Sequence, residues 1–246
     1  MTQHATAPAA EGPLAGRIAV ITGASRGIGA AVAERFAAAG ARLVLVARTS
    51  GALEELDDRI RALGAPPATL VPLDLRDGDA LDRLGGHLYE RHGKLDILVG
   101  NAAVLGQLGP MSHIPPKVWQ EVMAVNVTAN QRLIRSLEPL LRAADAGRAI
   151  FTTSGAARSP FAYFGAYAAS KAALEQMVRV WAAEVTKTRL RVNLLDPGVV
   201  RTSLRAQAFP GEDPAKLPPP ESVADAFVDL AAPACRPHGE IIAAGT

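Results

Sequence analysis

Cysteine is almost absent from this sequence of 246 residues, which contains one, Cys235. A disulfide needs two cysteines, so an intramolecular disulfide framework is excluded, and a reducing, cytoplasmic location is expected. The five histidines show no ligand-like spacing with each other or with Cys235. We therefore expect no metal site.

Long apolar runs and an excess of one charge are missing as well. No stretch approaches the roughly 18 consecutive apolar residues of a membrane span, and residues 1–14 lack the pattern of a signal peptide and are expected to form a flexible tail. The formal net charge is +2, too small to favour nucleic acid or an anionic membrane as a partner. The arginines are scattered, so they are expected on the solvated surface.

Aromatic residues make up only 4% of the chain, whereas hydrophobic residues make up 49%. This content supports a sizeable core built from Ala, Leu, Val and Ile, and it excludes a globally disordered chain. Residues 15–246 are expected to form one domain.

Strand-like and helix-like segments alternate from residue 17 onward. The strands are nearly continuous apolar runs, as expected in a parallel sheet covered on both faces. The pattern predicts a single-domain, Rossmann-like, doubly wound α/β fold with about seven parallel strands and helices on both faces. Predicted strands are 17–22, 42–47, 69–72, 97–100, 149–153, 191–195 and 240–243; predicted helices are 26–39, 53–63, 77–91, 118–144, 166–185 and 222–231. Residues 209–220 are expected to form a mobile excursion.

A glycine-rich turn directly follows the first predicted strand. Glycines there allow the backbone to approach a pyrophosphate, and the next helix offers its N-terminal amides. Alone, such a turn can also be merely a tight turn. The residues expected to contact the dinucleotide are Gly23, Ser25, Arg26, Gly27, Ile28 and Gly29.

The end of the second predicted strand indicates which dinucleotide binds. An NAD site usually has an acidic residue here, but residues 44–52 contain no Asp or Glu and do contain Arg48. Arg48 and Arg26 together suit a 2′-phosphate, so NADP(H) is predicted. The alternative is that both arginines simply face solvent.

A tyrosine and a lysine are spaced to share one face of a helix. Tyr167 and Lys171 are four residues apart, so the phenol and the ammonium project the same way. A nearby ammonium is expected to lower the pKa of the phenol toward neutrality. Ser154, after the fifth predicted strand, lies where open α/β sheets bind ligands. Such a Tyr–Lys pair also occurs by chance on many helices; the conjunction with the glycine turn favours catalysis.

With these residues and further motifs in order, the sequence resembles the short-chain dehydrogenase/reductase family. More narrowly, the segments 118–123, 165–171 and 209–214 resemble its bacterial YciK-type subgroup. The further motifs are Asp74-Leu75, Asn101-Ala102-Ala103, Asn126, Pro197-Gly198, Val200 and Thr202. One departure is Ala103, where the family usually has glycine.

The resemblance implies a hydride transfer between NADP(H) and a small-molecule carbonyl or alcohol. Tyr167 would be the general acid or base, Lys171 would tune it and bind the nicotinamide ribose, and Ser154 would orient the substrate. Asn126 would hold a water of a proton relay. Asp74, Leu75, Asn101, Ala102, Ala103, Pro197, Gly198, Val200 and Thr202 would contact the cofactor.

Two further expectations concern the assembly and the alternatives. The resemblance implies a homodimer or homotetramer formed through the helices at 118–144 and 166–185. The alternative function is a non-catalytic NADP(H)-binding regulatory protein on the same fold. Phe161, Phe164 and Phe209 suggest an apolar substrate, although each could instead pack against the domain.

Overall fold

The chain builds one parallel sheet with helices on both faces. A computed structural model describes residues 12–244, and within them the sheet has seven strands in the order β3-β2-β1-β4-β5-β6-β7, all parallel. The predicted fold class is confirmed. The order reverses between β1 and β4, so a crevice opens there at the carboxyl ends of the strands.

The strands follow the apolar runs closely. Three have the predicted bounds, three shift by one residue at one end, and β5 shifts by one residue at both ends, because strand pairing begins or stops there. The observed strands are β1 Ile18–Thr22, β2 Arg42–Ala47, β3 Thr69–Pro72, β4 Ile97–Gly100, β5 Arg148–Thr152, β6 Arg191–Asp196 and β7 Ile241–Ala243.

The helices are divided between the two faces of the sheet. Apolar side chains of α1, α2 and α8 pack in one buried cluster, and those of α3, α5 and α6 pack in another on the opposite face. Their bounds are α1 Gly27–Ala38, α2 Ser50–Ala62, α3 Gly78–His92, α4 Pro116–Met123, α5 Ala129–Ala143, α6 Gly165–Glu184, α7 Ser203–Ala208 and α8 Ala224–Ala231.

Two helical segments differ from the prediction by more than a shift of one to three residues at an end. The continuous helix expected at 118–144 is divided into α4 and α5 by a π-helical turn, Ala124–Thr128. Helix α7 was not predicted, because six residues are too few to show a helical period. It forms because Thr202 caps its N-terminus, accepting a 3.1 Å hydrogen bond from the Arg205 amide. Residues 209–220, which follow α7 and were expected to be mobile, contain a short 3₁₀ turn, Pro214–Lys216.

The ordered chain begins earlier than expected. Of the predicted tail, residues 1–11 lie outside the described residues, but Leu14 is fully buried in the core below α1. Its amide donates to the Ala39 carbonyl oxygen at 3.0 Å. The expected tail therefore does not extend to residue 14, since burial of the Leu14 side chain stabilises the ordered conformation.

Two arginines correct the expectation of a purely solvated basic surface. Arg17 and Arg148 are buried at the end of the sheet opposite the crevice. Arg17 donates to the carbonyl oxygens of Ala231 and Asp96 at 2.9 and 3.1 Å, and Arg148 donates to the Ala232 carbonyl at 3.1 Å. Burial lowers the pKa of Arg17 to about 10. Both guanidinium groups satisfy carbonyls where strands and helices begin or end.

None of the helices in the described part of the chain is long and apolar enough to cross a bilayer.

Candidate active site

A cleft of about 690 Å³ opens at the carboxyl ends of the strands, over the point where the strand order reverses. It brings together nearly all of the residues predicted from the sequence. Those that line it are Gly23, Ser25, Arg26, Gly27, Ile28, Arg48, Asp74, Leu75, Asn101, Ala102, Ala103, Ser154, Tyr167, Lys171, Pro197, Gly198, Val200 and Thr202. Gly29 and Asn126 are the two predicted residues that do not.

The backbone of the glycine turn lies in close contact with the segment after β4. Gly23 has φ of +65°, and a Cβ there would lie 2.8 Å from the Ala102 Cα. A Cβ on Gly29 would lie 2.2 Å from the Gly23 carbonyl oxygen. Gly23 therefore supplies a conformation and a close approach that a side chain would prevent, and Gly29 allows α1 to pack on the turn.

A threonine that the sequence prediction missed fixes the two segments together. The Thr22 hydroxyl accepts hydrogen bonds from the amides of Asn101 and Ala102, at 3.0 and 3.2 Å. The Asn101 side chain donates back to the Thr22 carbonyl oxygen at 3.2 Å. These bonds hold the floor of the cleft between β1 and β4.

The beginning of α1 fits an anionic ligand. Its cap residue, Arg26, makes no side-chain capping bond, and the first turn contains no acidic residue. Arg26 and Arg48 are exposed at the rim of the cleft, and neither forms an ion pair within residues 12–244. Open amides and two guanidiniums together form a donor set suited to phosphate groups.

The acidic residue nearest to this end of the cleft already has a partner. The Asp74 carboxylate accepts two hydrogen bonds from the Arg76 guanidinium in a bidentate arrangement, at 3.0 and 2.5 Å. Hydrogen bonding from Arg76 keeps the pKa of Asp74 below its ordinary value, and Arg48 adds a smaller effect in the same direction. The carboxylate thus stays ionised, with Arg76 holding it at the edge of the cleft.

Lys171 is buried at the floor of the cleft, with 2% of its surface exposed. Its Nζ donates a 2.8 Å hydrogen bond to the Thr152 carbonyl oxygen at the end of β5. Burial lowers the pKa of Lys171 to about 8, although the carboxylates of Glu175 and Asp196 act in the opposite direction. The hydrogen bond to the sheet thus fixes the position of the ammonium. The lowered pKa brings the group closer to the pH range in which it can exchange a proton.

Tyr167 lies one helical turn before Lys171 and shares its face of α6, as predicted. The Lys171 Nζ is 5.8 Å from the centre of the Tyr167 ring. Burial raises the pKa of Tyr167 to about 12, with hydrogen bonding to Ser154 opposing and Asp196 adding to the rise. The expectation that the Lys171 ammonium would lower this pKa toward neutrality is wrong, because desolvation of the phenol dominates and the ammonium is directed at the Thr152 carbonyl oxygen.

Ser154 begins the turn that follows β5. Its backbone is extended, and its Oγ accepts a 3.3 Å hydrogen bond from the Ala156 amide. The same hydroxyl is close enough to Tyr167 to affect the pKa of the phenol. Two hydroxyls and an ammonium from β5 and α6 therefore line one side of the cleft.

Asn126 lies in the π-helical turn and is fully buried. Its amide forms two 2.9 Å hydrogen bonds with the backbone of Val104, one to the N–H and one to the carbonyl, and donates a third to the Ser170 hydroxyl. The side chain thus ties the segment after β4 to α6, beside Lys171. Its participation in a proton relay stays a prediction.

An ion-pair network behind Ser154 was also missed. Arg158 pairs with Glu175 of α6 and with Asp196 at the end of β6. Glu175 also accepts from the Thr153 hydroxyl at 2.7 Å. The spacing of Glu175, four residues after Lys171, was a signal in the sequence. The partnership with Asp196 had none, since only the fold brings the two carboxylates together.

The segment after β6 closes the cleft on its open side. Gly198 has φ of +66°, and its amide donates to the Asp196 carboxylate at 3.0 Å. The chain then reaches Thr202, whose methyl group faces Gly27 across the cleft: a Cβ on Gly27 would lie 3.5 Å from it. The predicted cofactor residues on both sides of the cleft are therefore close neighbours.

Comparison with known proteins agrees with this geometry. The family model described as short chain dehydrogenase matches residues 17–213. The chain is 41% identical over 217 residues to the oxidoreductase YciK of Escherichia coli K12, covering 87% of this chain and 85% of that protein.

Solved structures give the same result. A structure of an oxidoreductase, YciK of E. coli, superposes with a TM-score of 0.91 at 36% identity and full coverage of both chains. A short chain dehydrogenase of E. coli CFT073 complexed with NADPH superposes with a TM-score of 0.89 at 39% identity, covering 94% of this chain and 97% of that one. The resemblance inferred from the motifs is confirmed, and this chain belongs to the short-chain dehydrogenase/reductase family of oxidoreductases.

Proposed function

We propose that this chain is an NADP(H)-dependent enzyme that interconverts a carbonyl compound and an alcohol, using Ser154, Tyr167 and Lys171 with Asn126 in support. One observation carries the proposal. A single cleft has at one end two arginines that form no ion pair within residues 12–244, and at the other end the buried Tyr167 and Lys171 beside Ser154. Such a cleft suits a dinucleotide with an extra phosphate and a substrate oxygen.

The choice of NADP(H) rests on charge. Arg26 and Arg48 offer charge-assisted hydrogen bonds to a 2′-phosphate, and the strand end that would carry an acidic residue for NAD carries none. Two related solved structures support the choice. The E. coli CFT073 protein is complexed with NADPH, and a short chain dehydrogenase of Shigella flexneri, 38% identical, is complexed with NADP.

The proton chemistry follows from the two buried side chains. When bound, NADPH supplies a hydride to the carbonyl carbon of the substrate. Tyr167, whose pKa is raised to about 12, is protonated near neutral pH and is placed to donate to the carbonyl oxygen. The ammonium of Lys171 stabilises the phenolate that remains. The Ser154 hydroxyl orients the same oxygen.

The alternative of a non-catalytic binding protein has no comparable support. The relatives found by comparison are named as oxidoreductases and dehydrogenases. Burial of the Tyr167 phenol is also hard to explain without chemistry, since a binding site for the nucleotide alone needs no proton donor at this position.

The test is a panel of aldehydes and ketones with NADPH, followed by the absorbance of NADPH. Tyr167→Phe removes the proton donor and keeps the ring, so turnover should fall by about a thousandfold or more while NADPH still binds. Tyr89→Phe is the matched control, because Tyr89 is exposed on α3 away from the cleft. Full activity in Tyr167→Phe would contradict the proposal.

We also propose that the protein forms a homodimer or homotetramer through the outer faces of α4, α5 and α6. The outer face of α6 carries Val180, which is 46% exposed within one chain. Light scattering is expected to give a mass of two or four chains, and a stable monomer would contradict this proposal.

A further inference from the structure

We infer that the substrate is an uncharged carbonyl compound whose larger substituent is aromatic. The inference rests on the proposed function and specifies the substrate class of the same site. Its evidence lies in the half of the cleft beyond Tyr167, away from the two arginines.

An apolar wall leads outward from the reactive phenol. Tyr167, Leu105 and Ala156 form a small buried cluster, against which Phe164 and Leu204 pack. Phe164 directly precedes α6, so its ring lies one helical turn from the phenol. The other side chains of this cluster are all apolar, which favours an apolar substituent on the substrate carbonyl.

Three phenylalanine rings extend this wall to the mouth of the cleft. The ring centres of Phe161 and Phe164 are 5.8 Å apart, and those of Phe164 and Phe209 are 5.7 Å apart. All three residues line the cleft. Their position in the wall of the cleft favours contact with the substrate over packing against the domain alone.

The outermost ring is also the least covered. Phe161 is 50% exposed, although it lies in the wall of a concave site. A substrate ring placed against it would remove apolar surface from water and continue the row of tilted aromatic contacts. The exposed ring of Phe161 is therefore available to contact an apolar group of the substrate.

The charges at this end of the cleft are neutralised by protein partners. Arg205 forms a bidentate ion pair with Glu212, with hydrogen bonds of 2.6 and 2.8 Å. Its guanidinium also stacks on the Phe209 ring, 3.8 Å from the ring centre. Asp196, the acidic residue nearest to the phenol, pairs with Arg158. Within residues 12–244, the Lys171 ammonium, which already donates to the Thr152 carbonyl oxygen, is the one charged group lining this half that has no ion-pair partner. Away from the reacting oxygen, an ionised substituent would therefore lose its hydration without compensation.

The position of Phe209 is itself fixed by these contacts. Arg205 lies in α7 and Glu212 lies after it, so their pairing folds the chain back around Phe209. A wall held by stacked rings and an ion pair accommodates a flat, rigid group with little further ordering. This preorganisation favours an aryl group over a flexible alkyl chain.

The experiment compares matched aldehydes with NADPH. Para-tolualdehyde and para-carboxybenzaldehyde have similar shapes and differ in charge, and kcat/KM should favour the neutral one by about tenfold or more. Benzaldehyde and cyclohexanecarbaldehyde have similar sizes and differ in aromatic character, and benzaldehyde should be favoured by about threefold to tenfold. Propanal reports on the reaction itself.

Three variants locate the preference. Phe161→Leu, Phe164→Leu and Phe209→Leu should each lower the ratio of kcat/KM for para-tolualdehyde over propanal by about threefold to tenfold. Phe161→Leu is the safest for folding because half of the ring is exposed. Tyr89→Leu, which changes an exposed aromatic residue on α3, is the matched control and should leave the ratio unchanged.

The possible outcomes test the substrate class separately from the proposed function. Reduction of propanal with a preference for the carboxylated or the cyclohexyl aldehyde overturns the substrate class and leaves the proposed function standing. Unchanged ratios in all three phenylalanine variants likewise overturn the inference. Failure of NADPH to react with any of these aldehydes overturns the proposed function, and the inference with it.

Discussion

Lys171 donates a 2.8 Å hydrogen bond from its Nζ to the backbone carbonyl oxygen of Thr152, where β5 ends. This bond ties the second turn of a long helix to the sheet. It also holds an ammonium in a nearly closed environment, at a distance of 5.8 Å from the centre of the Tyr167 ring. Burial of the charge has a thermodynamic consequence that can be measured.

The first prediction concerns the pH dependence of stability. Burial lowers the pKa of Lys171 to about 8 from an ordinary 10.5. Between these values the unfolded chain binds the proton more tightly, so the contribution of Lys171 to stability rises as the pH increases. Below about pH 8 both states are protonated, and the full cost of burying the ammonium is present.

Lys171→Met removes this linkage and keeps an apolar stem. The free energy of unfolding of the natural protein, minus that of the variant, should rise by at most about 3 kcal/mol over this pH range. Urea unfolding at a series of pH values measures the difference. A difference independent of pH would show that the ammonium is not buried as described.

The second prediction concerns the packing of the glycine turn. A methyl group added by Gly29→Ala would lie 2.2 Å from the Gly23 carbonyl oxygen and 2.7 Å from the Asn101 side chain. The backbone must shift, so the free energy of unfolding should fall by about 1–3 kcal/mol and NADPH affinity should fall with it.

Gly86→Ala is the control for this substitution. Gly86 lies inside α3 with nothing within 4 Å of an added Cβ, so the change should stabilise the protein by about 0.5–1 kcal/mol. Nucleotide titration and urea unfolding test both variants. Equal NADPH affinity in Gly29→Ala and the natural protein would mean that the turn does not shape the nucleotide site.

The comparison of sequence and structure shows which features local patterns encode. The strands could be predicted because glycine turns bound their apolar runs, with Gly23 after β1 and Gly40 and Gly64 before β2 and β3. The predicted site residues meet in one cleft because most follow strand ends in a parallel sheet, which all lie at the same edge.

The features that were missed depend on contacts between distant segments. The π-helical turn at Asn126 requires the backbone of Val104 as a partner, and nothing in the local sequence interrupts the helical pattern there. The wrong expectation for Tyr167 has a similar origin. Spacing places an ammonium near the phenol, but only the fold shows that the Thr152 carbonyl holds this ammonium and that burial dominates the pKa.

The third prediction concerns Arg158, which bridges two carboxylates behind Ser154. Arg158→Met leaves Glu175 and Asp196 without their shared cation, and both are largely buried. Because Arg158 itself is 40% exposed, the loss of stability should be moderate, about 1–3 kcal/mol. The turn that carries Ser154 should also loosen, so kcat should fall more than the affinity for NADPH.

Two companion variants distinguish charge from packing at this position. Arg158→Lys should recover part of the stability, since it restores one positive charge but not the two-sided geometry. Arg158→Met combined with Glu175→Gln should be more stable than Arg158→Met alone, because one unpaired carboxylate has been removed. If Arg158→Met matches the natural protein in stability and kcat, the bridge has no role.

The fourth prediction concerns the preference for NADP(H) over NAD(H). Arg48 is exposed at the end of β2, and its charge reaches Asp74 across the rim of the cleft. Arg48→Asp removes one cation expected to grip the 2′-phosphate and places an anion there. NADPH affinity should fall by about a hundredfold, whereas NADH affinity should change by less than about threefold.

The matched control for this charge reversal is Arg83→Asp. Arg83 is exposed on α3 and does not line the cleft, so the change in net charge is the same but lies away from the site. Titration of both nucleotides, followed by the fluorescence of the reduced nicotinamide, gives the ratio of dissociation constants for each variant. Raised salt should weaken NADPH binding to the natural protein and have less effect on Arg48→Asp, since an exposed ion pair is screened by salt. If Arg48→Asp binds NADPH and NADH in the same ratio as the natural protein, Arg48 does not read the 2′-phosphate and the preference must come from Arg26 or be absent.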